Sequence, residues 1–453
     1  MVALAAVEAP TFYAAPYLAA AVRFSDDISE AEAAVGPLWA QGLLFATAMF
    51  VAMLSVGLYS SRQRTGIAGT LLRLAVSASG AFVTLALIYY IAPSTRMGRG
   101  VLALTILIGL LACLLVRGAI SKVGGRNVFK RRVLVYGAGA RAQSILRLRR
   151  RADQRGFRIV GFIRAAGDAA SIAGERVLRT SGSLLEKCRR LAVDEIVVAM
   201  DDRRQGFPLK ELLGCRLSSV DVVELESFLE RETGRVRLDV LNASWMIFGA
   251  GFSCTLLRKF NARSFDIVTS LLLLLLTWPV MLLTAIAIKL EDGICAPVLY
   301  RQTRVGLDGR HFAMLKFRSM RIDAEQDGEA RWAQKRDERV TRVGTVARTF
   351  RIDELPQLFN VLLGDMRFVG PRPERPEFVE LLSKKIPYYR ERHCVKPGIT
   401  GWAQLCLSYG ASEQSAQEKL EYDLYYAKNH CLLLDLSILV QTAEVIVWRK
   451  GAQ

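Results

Sequence analysis

Three stretches of the chain, roughly Leu38 to Tyr59, Thr70 to Ala92 and Val101 to Val116 with its flanks, are apolar over a length that spans a bilayer, so each predicts a transmembrane helix. A fourth, Val2 to Val22, is interrupted by Glu8, Pro10 and Pro16. It lacks the basic lead of a signal sequence and is counted as the first of four membrane helices. From Arg132 the pattern changes to short β-branched runs between polar helical stretches: Val133 to Tyr136, Arg158 to Phe162 and Glu195 to Ala199. Continuous apolar strands of this kind predict a small parallel sheet. A further apolar run, Ile267 to Leu290, is long enough to cross, yet Pro279 stands in its middle and predicts a kink there, with Thr277 available for a freed carbonyl. The last run, Leu432 to Trp448, carries Asp435 and Glu444 and reads as an interfacial or domain-packing helix.

These patterns divide the chain into membrane helices at 1–120, a Rossmann-like domain at 121–240, a connector at 241–262 and a mostly helical domain at 263–453. The fold class is therefore a membrane protein, α plus α/β. The loop Arg23 to Pro37 is acidic through Asp26, Asp27, Glu30 and Glu32, whereas Arg62 and Arg64 follow the next helix and Arg117, Lys122, Arg126, Lys130, Arg131 and Arg132 follow the last. Positive charge marks the cytoplasmic side, so both termini are expected there, with Arg96 and Arg99 opposing that orientation.

Composition narrows the function classes. The chain has 453 residues, 52% of them hydrophobic, and a formal charge of +18. No nucleic-acid motif accompanies the charge, and basic residues crowd beside apolar runs, at Lys122 to Arg132 and Arg258 to Arg263. A membrane surface and phosphorylated substrates are the expected partners, not nucleic acid. Eight cysteines are scattered without a Cys-x-x-Cys pair, which argues against zinc and against a disulfide framework. His311, His393 and His430 lack metal-ligand spacing and read as structural.

After the first predicted strand comes Gly137-Ala138-Gly139-Ala140-Arg141-Ala142, a G-x-G-x-x-A turn in which Gly137 and Gly139 are candidate cofactor-binding residues. The second strand runs into Arg164-Ala165-Ala166-Gly167 where a ribose-binding acid belongs, and Asp168 comes late for that role. Two readings stand: dinucleotide binding, or a module used for packing, oligomerisation or regulation. Arg231, Arg235 and Arg237, in the approach to the connector, read as a solvated or lipid-facing surface.

The chemistry concentrates between Lys316 and Pro373. Asp353 and Glu354 form a carboxylate pair, with Lys316, Arg318, Arg348, Arg351 and Arg372 as surrounding cations and Pro371 and Pro373 stiffening the loop of Arg372. A carboxylate can attack phosphorus only if cations, usually with a divalent metal, screen its repulsion from the phosphate. Adjacent acids repel, so their roles should differ. The plain alternative is an Asp-Glu pair opening a helix, with Pro356 just inside.

From about Arg258 onward the sequence resembles the bacterial sugar-transferase family, the monotopic polyprenyl-phosphate phosphoglycosyl transferases. The resemblance lies in the basic lead into a Leu-rich segment ending Ile288-Lys289-Leu290, in Tyr300-Arg301-Gln302 with Arg304-Val305-Gly306, and in Lys316-Phe317-Arg318-Ser319-Met320. It continues in Arg351-Ile352-Asp353-Glu354-Leu355-Pro356-Gln357, Gly364-Asp365-Met366, Gly370-Pro371-Arg372-Pro373 and Val395 to Gln404. The whole chain looks like the long form that starts exopolysaccharide assembly. Arg375 to Phe378 and Tyr425-Tyr426 with Asn429-His430 most resemble the subgroup tied to exosortase-type loci.

The resemblance implies transfer of a sugar 1-phosphate from a UDP-sugar to polyprenyl phosphate, releasing UMP. It implies Asp353 as nucleophile and Glu354 as metal ligand or proton acceptor, with Asp353 and Glu354 the metal-binding pair and Mg2+ the ion. Lys316 and Arg318 are then expected on phosphates and Arg372 on the nucleotide diphosphate. Asp365 is a supporting residue or a turn cap, and Pro397-Gly398 with Gly401-Trp402 shapes the nucleotide pocket, unless Trp402 anchors at the lipid interface. The resemblance also implies that 267–290 is a re-entrant helix, dipping into the inner leaflet and returning. Trp278 stands where members often carry Ser. The expected location is the bacterial inner membrane with the catalytic domain on the cytoplasmic face. The rivals are a membrane-tethered epimerase or dehydratase, which needs a Tyr-x-x-x-Lys pair that the middle domain does not contain, and a nucleotide-sensing scaffold. The sugar is open, and the middle domain gives a reason to suspect a homodimer.

Overall fold

The computed structural model describes residues 2–24, 32, 36–59, 67–123, 130–148, 153–154, 156–169, 171–178, 182–204, 206–241, 246, 251, 255–321, 339–407 and 412–447. Asp26, Asp27, Glu30, Arg62, Arg64, Arg126, Trp448 and half of the expected connector lie outside the described residues. The chain forms two compact units, Met1–Gly234 and Arg235–Gln453.

In the first unit, helices α1 (Val2–Phe24), α2 (Leu38–Ser55), α3 (Ile67–Ile91) and α4 (Arg99–Val123) pack as a bundle, α1 lying against α2 and α4. Three of the four helices in this bundle, all but α1, are long and apolar enough to cross a membrane. Phe12 and Phe45 meet edge to face at 6.3 Å in the bundle core. Glu8, an interruption in the sequence, is fully buried and takes both Arg117 Nε at 2.6 Å and Arg117 Nη2 at 3.1 Å. A charge so placed is tolerated because its partner is bidentate. Arg96, which opposed the expected orientation, donates from Nε to the Tyr89 carbonyl at 3.1 Å and so closes the end of α3.

The same unit holds a four-stranded parallel sheet in the order β2-β1-β3-β4, made by β1 (Arg131–Tyr136), β2 (Phe157–Ile163), β3 (Glu195–Val198) and β4 (Asp221–Glu224). Helices α5 (Ala140–Leu146), α6 (Leu184–Arg190) and α7 (Leu209–Leu217) connect the strands, and α8 (Leu225–Thr233) follows the last. Because β2 and β3 flank β1 on opposite sides, the turn after β1 sits where the strand order reverses. The fourth strand, Asp-Val-Val-Glu, is too short and too polar at its ends to stand out in the sequence. Helix α8 stops at Gly234, whose left-handed conformation (φ 69°) lets its N–H close on the Glu230 carbonyl at 2.9 Å.

Arg231 is exposed, as a solvated surface would have it, whereas Arg235 and Arg237 are partly buried. Arg231 pairs with Glu195 at 2.7 Å, Arg235 with Glu421 at 3.1 Å and Arg237 with Asp239 at 2.5 Å. Arg231 and Arg235 thus find carboxylates far along the chain, while Arg237 finds one two residues on.

The second unit opens with α9 (Leu256–Asp292), 37 residues that remain α-helical through Pro279. Thr277 Oγ1 donates to the Leu273 carbonyl at 2.7 Å, not to the Leu275 carbonyl that Pro279 leaves without its donor. Leu271, Leu272, Leu275, Leu276, Leu282 and Leu283 are exposed, an apolar surface suited to lipid. A hairpin of β5 (Leu299–Val305) and β6 (His311–Phe317) follows, then α10 (Arg342–Thr349), α11 (Gln357–Leu363), β7 (Arg367–Val369), α12 (Pro376–Lys385), β8 (Gly398–Thr400), α13 (Trp402–Cys406), α14 (Glu413–Asn429) and α15 (Leu432–Val447). Strands β7 and β8 pair in parallel.

Tyr389, Tyr422, Tyr425 and Tyr426 are buried together with Trp402, Leu420 and Ile438 and form the core of this unit. Burying side chains of this size contributes ~1.5–3 kcal/mol each. Helix α15 packs onto that core through Ile438, and Thr442 Oγ1 meets Thr400 Oγ1 at 2.8 Å.

Candidate active site

The acid pair is presented by a short, strained passage between two helices. Helix α10 begins at Thr341, whose side chain accepts from Gly344 N at 2.9 Å, and packs so closely on the end of β6 that a Cβ on Gly344 would meet the Ser319 carbonyl at 2.1 Å. Arg351 then adopts a left-handed conformation (φ 58°), unusual for a residue with a side chain. The bend turns the chain into a single 3-10 turn, Ile352–Glu354, and Pro356 starts α11. Asn360 fixes α11 to the hairpin: its Nδ2 donates to the Ala313 carbonyl at 2.8 Å and its Oδ1 accepts from Leu315 N at 2.9 Å. Lys316, next along β6, is thereby held over the acids.

The two acids are in unlike surroundings. Oε1 of Glu354 receives three cations, Lys316 Nζ at 3.3 Å, Arg351 Nη1 at 3.5 Å and Arg372 Nη2 at 3.5 Å. Burial pushes the Glu354 carboxyl up, but Arg372, Lys316 and Arg351 outweigh it and hold it at about 2. Asp353 is 8% exposed, and its Oδ1 is buried without a hydrogen-bond partner. Burial first and the Glu354 charge second raise the Asp353 carboxyl above the usual range, against Lys316, Arg348 and Arg351. Burial lowers Lys316, with Arg372 adding to that and Glu354 opposing it. A cation-clamped carboxylate thus stands beside one whose buried oxygen has no hydrogen-bond partner, with fixed positive charge around both. Such a site suits a substrate that brings its own negative charge.

Arg372 comes from a loop strapped to β8. Gly370 N donates to the Thr400 carbonyl and Gly398 N to the Pro371 carbonyl, each at 2.9 Å, and a Cβ on Gly398 would lie 2.1 Å from Gly370 N. Only glycine permits that approach. Pro371 and Pro373 are buried, while Arg372 Nη2 reaches Glu354. Beneath the loop, Arg392 Nη2 donates to the Arg372 carbonyl at 3.0 Å and pairs with Asp423 at 2.7 Å.

Asp353, Glu354, Lys316, Arg351 and Arg372 therefore converge. Arg318 is 7% exposed and pairs with Asp292, the last residue of α9, at 2.5 Å, while its Nε and Nη1 are buried without hydrogen-bond partners. Arg348 Nε donates to Ser319 Oγ at 2.9 Å. Asp365 closes the turn after α11, its N–H on the Asn360 carbonyl at 3.0 Å and its Oδ2 taking Asn360 Nδ2 at 3.3 Å. Trp402 is core, not a lipid anchor. His393 and His430 face backbone carbonyls through Nδ1, and burial lowers both to about 4. Gly137 and Gly139 belong to the first unit.

Reading the sequence missed the residues that hold this site together. Arg367 joins Asp266 of α9 at 3.3 Å and Asp435 of α15 at 2.7 Å, and Asp266 also accepts from Phe368 N at 3.0 Å. Arg263 donates to the Val361 and Leu362 carbonyls at 2.6 and 2.5 Å, closing α11. Glu291 takes the N–H groups of Arg342 and Val343 at 2.8 and 3.0 Å. The only hint in the sequence was the set of charged residues at both ends of an apolar run.

Comparisons with known proteins bear on both units. The model of the family described as bacterial sugar transferase matches residues 257–449, and that described as CoA-binding domain matches 55–207. A UDP-N-acetylgalactosamine-undecaprenyl-phosphate N-acetylgalactosaminephosphotransferase of Aeromonas hydrophila is 42% identical over 253 residues, covering 56% of this chain and 58% of the relative. An undecaprenyl-phosphate glucose phosphotransferase of Komagataeibacter xylinus is 34% identical over 338 residues, covering 71% of this chain and 60% of the relative. The chain thus spans well under the full length of these two curated relatives. A UDP-glucose:undecaprenyl-phosphate glucose-1-phosphate transferase of Caulobacter vibrioides is 43% identical over 199 residues, 43% of this chain and 72% of the relative. The chain belongs to the bacterial sugar transferase family, of the polyprenyl-phosphate phosphoglycosyl transferase type.

Proposed function

We propose that the chain transfers a sugar 1-phosphate from a UDP-sugar to polyprenyl phosphate, undecaprenyl phosphate in bacteria, as the first step of exopolysaccharide assembly. The observation that carries this reading is the contrast between Asp353, with a buried unpaired oxygen, and Glu354, clamped by three cations. A carboxylate oxygen of Asp353 attacks the β-phosphorus of the donor. The bond from that phosphorus to the bridging oxygen breaks, and UMP leaves with the electron pair. The resulting aspartyl phosphosugar is then attacked at phosphorus by an oxygen of polyprenyl phosphate, and the Asp353 carboxylate is released as polyprenyl-diphosphate sugar forms. Two large anions use one site in turn.

Lys316, Arg351 and Arg372 supply the fixed charge that lets anion approach anion. Arg372, on its stiff loop, is oriented for the donor diphosphate. Arg318 stands as a phosphate-binding reserve whose pairing with Asp292 ties it to α9. Among the described residues no cluster of three or more metal-ligating side chains occurs. Mg2+ needs only one or two carboxylates when substrate phosphates complete its shell, so Asp353 and Glu354 fit it. When bound, the ion supplies charge neutralisation at the diphosphate.

The long helix α9 enters this reading as re-entrant, with the catalytic unit on the cytoplasmic face of the inner membrane. Support comes from its ends. Arg263 and Asp266 near one end, and Glu291 and Asp292 at the other, all bind the same compact unit. A helix that crossed would carry one of those sets to the far side. The finer kinship with exosortase-linked members rests on the motif resemblance around Arg375 to Phe378.

The test is donor alone. Purified protein incubated with a UDP-sugar labelled in the β-phosphate should release UMP and retain label at position 353, and Asp353→Asn should do neither. Appreciable turnover by Asp353→Asn would overturn covalent catalysis.

A further inference from the structure

The match to a CoA-binding domain and the Gly137 turn at the switch point of the sheet both suggest a coenzyme seat. The residues present do not fit one. Such a seat needs backbone N–H groups free to face a pyrophosphate. Here four of them are already used. Gly137 N donates to the Ile163 carbonyl at 2.8 Å. Ala138 N donates to Asp168 Oδ2 at 2.7 Å, and Ala140 N and Arg141 N donate to Asp201 Oδ2 and Oδ1 at 3.0 and 2.9 Å.

The two acids are themselves fixed. Asp168 Oδ2 also accepts from Ala165 N at 2.9 Å, and its Oδ1 accepts from Asp201 N at 3.1 Å. The turn, the loop after β2 and the loop after β3 are thereby laced together by carboxylates. A Cβ on Gly139 would lie 1.8 Å from Asp201 Oδ2, so the glycine makes room for that acid. A Cβ on Gly137 would lie 2.3 Å from the Ala199 carbonyl. Arg141, the cation nearest in sequence, is turned to Glu226 at 2.6 Å. A pyrophosphate entering here would displace an internal anion and face a second one, with Coulomb repulsion opposing it.

We infer that the turn at Gly137–Arg141 is closed by Asp168 and Asp201 standing where a coenzyme's phosphates would lie, and that it binds neither CoA nor a dinucleotide. The glycines serve the close approach of the protein's own carboxylates, and the α/β module is a self-capped packing unit.

Amide-resolved hydrogen exchange on the full-length protein in detergent tests this. Coenzyme A or NAD+ at millimolar concentration should leave exchange at Ala138, Ala140 and Arg141 unchanged. Asp201→Ala should speed exchange at Ala140 and Arg141 by about tenfold or more while the β1 amides stay protected, because their acceptors have gone. Asp168→Ala should do the same at Ala138. Slowing of those amides by either coenzyme in the unsubstituted protein would overturn the inference, as would unchanged exchange in Asp201→Ala. If Asp201→Ala loosens β1 as well, the coenzyme arm, which needs no substitution, decides.

Discussion

Lys316 Nζ lies 3.3 Å from Oε1 of Glu354, the sequence neighbour of the acid whose buried oxygen has no hydrogen-bond partner. The pairing separates two carboxylates that the sequence makes adjacent. Glu354→Gln should therefore keep part of the activity, with a drop of roughly tenfold to a hundredfold in kcat/KM as the cations lose their anchor, whereas Asp353→Asn loses it entirely. Release of UMP from a UDP-sugar measures both.

The same pair sets a pH dependence. Burial and then the Glu354 charge raise Asp353, so its carboxylate is lost, on acidification, at a higher pH than an ordinary Asp near ~3.9. Activity should fall on that acid limb. Removing the like charge in Glu354→Gln lowers Asp353 again, and the limb of kcat/KM should move to lower pH. A limb that stayed in place would mean that another group titrates.

Arg367 is buried between Asp266 and Asp435. Replacing it with Met leaves two carboxylates without their counter-charge, so Arg367→Met should destabilise the second unit by ~3–5 kcal/mol. Arg367→Lys keeps the charge without the fork and should cost less. Thermal unfolding of the purified chain gives the order.

Arg392 holds the Arg372 carbonyl from below and is itself held by Asp423. Arg392→Lys should leave the core filled but free the Arg372 loop, raising KM for the UDP-sugar by roughly tenfold with a smaller change in kcat. Equal loss in both would point to a role at the reacting atoms.

Exposed positions flank the two ends of α9, Leu257 near one and Ile294 just past the other. With cysteines placed there in a background lacking the native ones, both should react with a membrane-impermeant thiol reagent only after the cytoplasmic face is opened. Labelling of one end from the outside of intact cells would show a crossing helix.

Much of the architecture was legible because it follows from local patterns. Long apolar runs become helices wherever they lie, and β-branched runs between polar helices become parallel strands. That the cations and acids between Lys316 and Pro373 meet was an expectation of the family resemblance, carried by their motifs. The roles of Arg231 and Arg235 were not legible: they pair with Glu195 and Glu421, on elements whose placement depends on the whole fold.

By itself the sequence determined the order of membrane, α/β and acid-bearing segments and the residue types available for phosphate chemistry, since periodicity and composition act over a few turns. Only the tertiary structure decided which acid is clamped and which is free, and that Asp168 and Asp201 fill the glycine turn. Those outcomes rest on contacts between residues tens of positions apart, where a difference of an ångström separates a hydrogen bond from none.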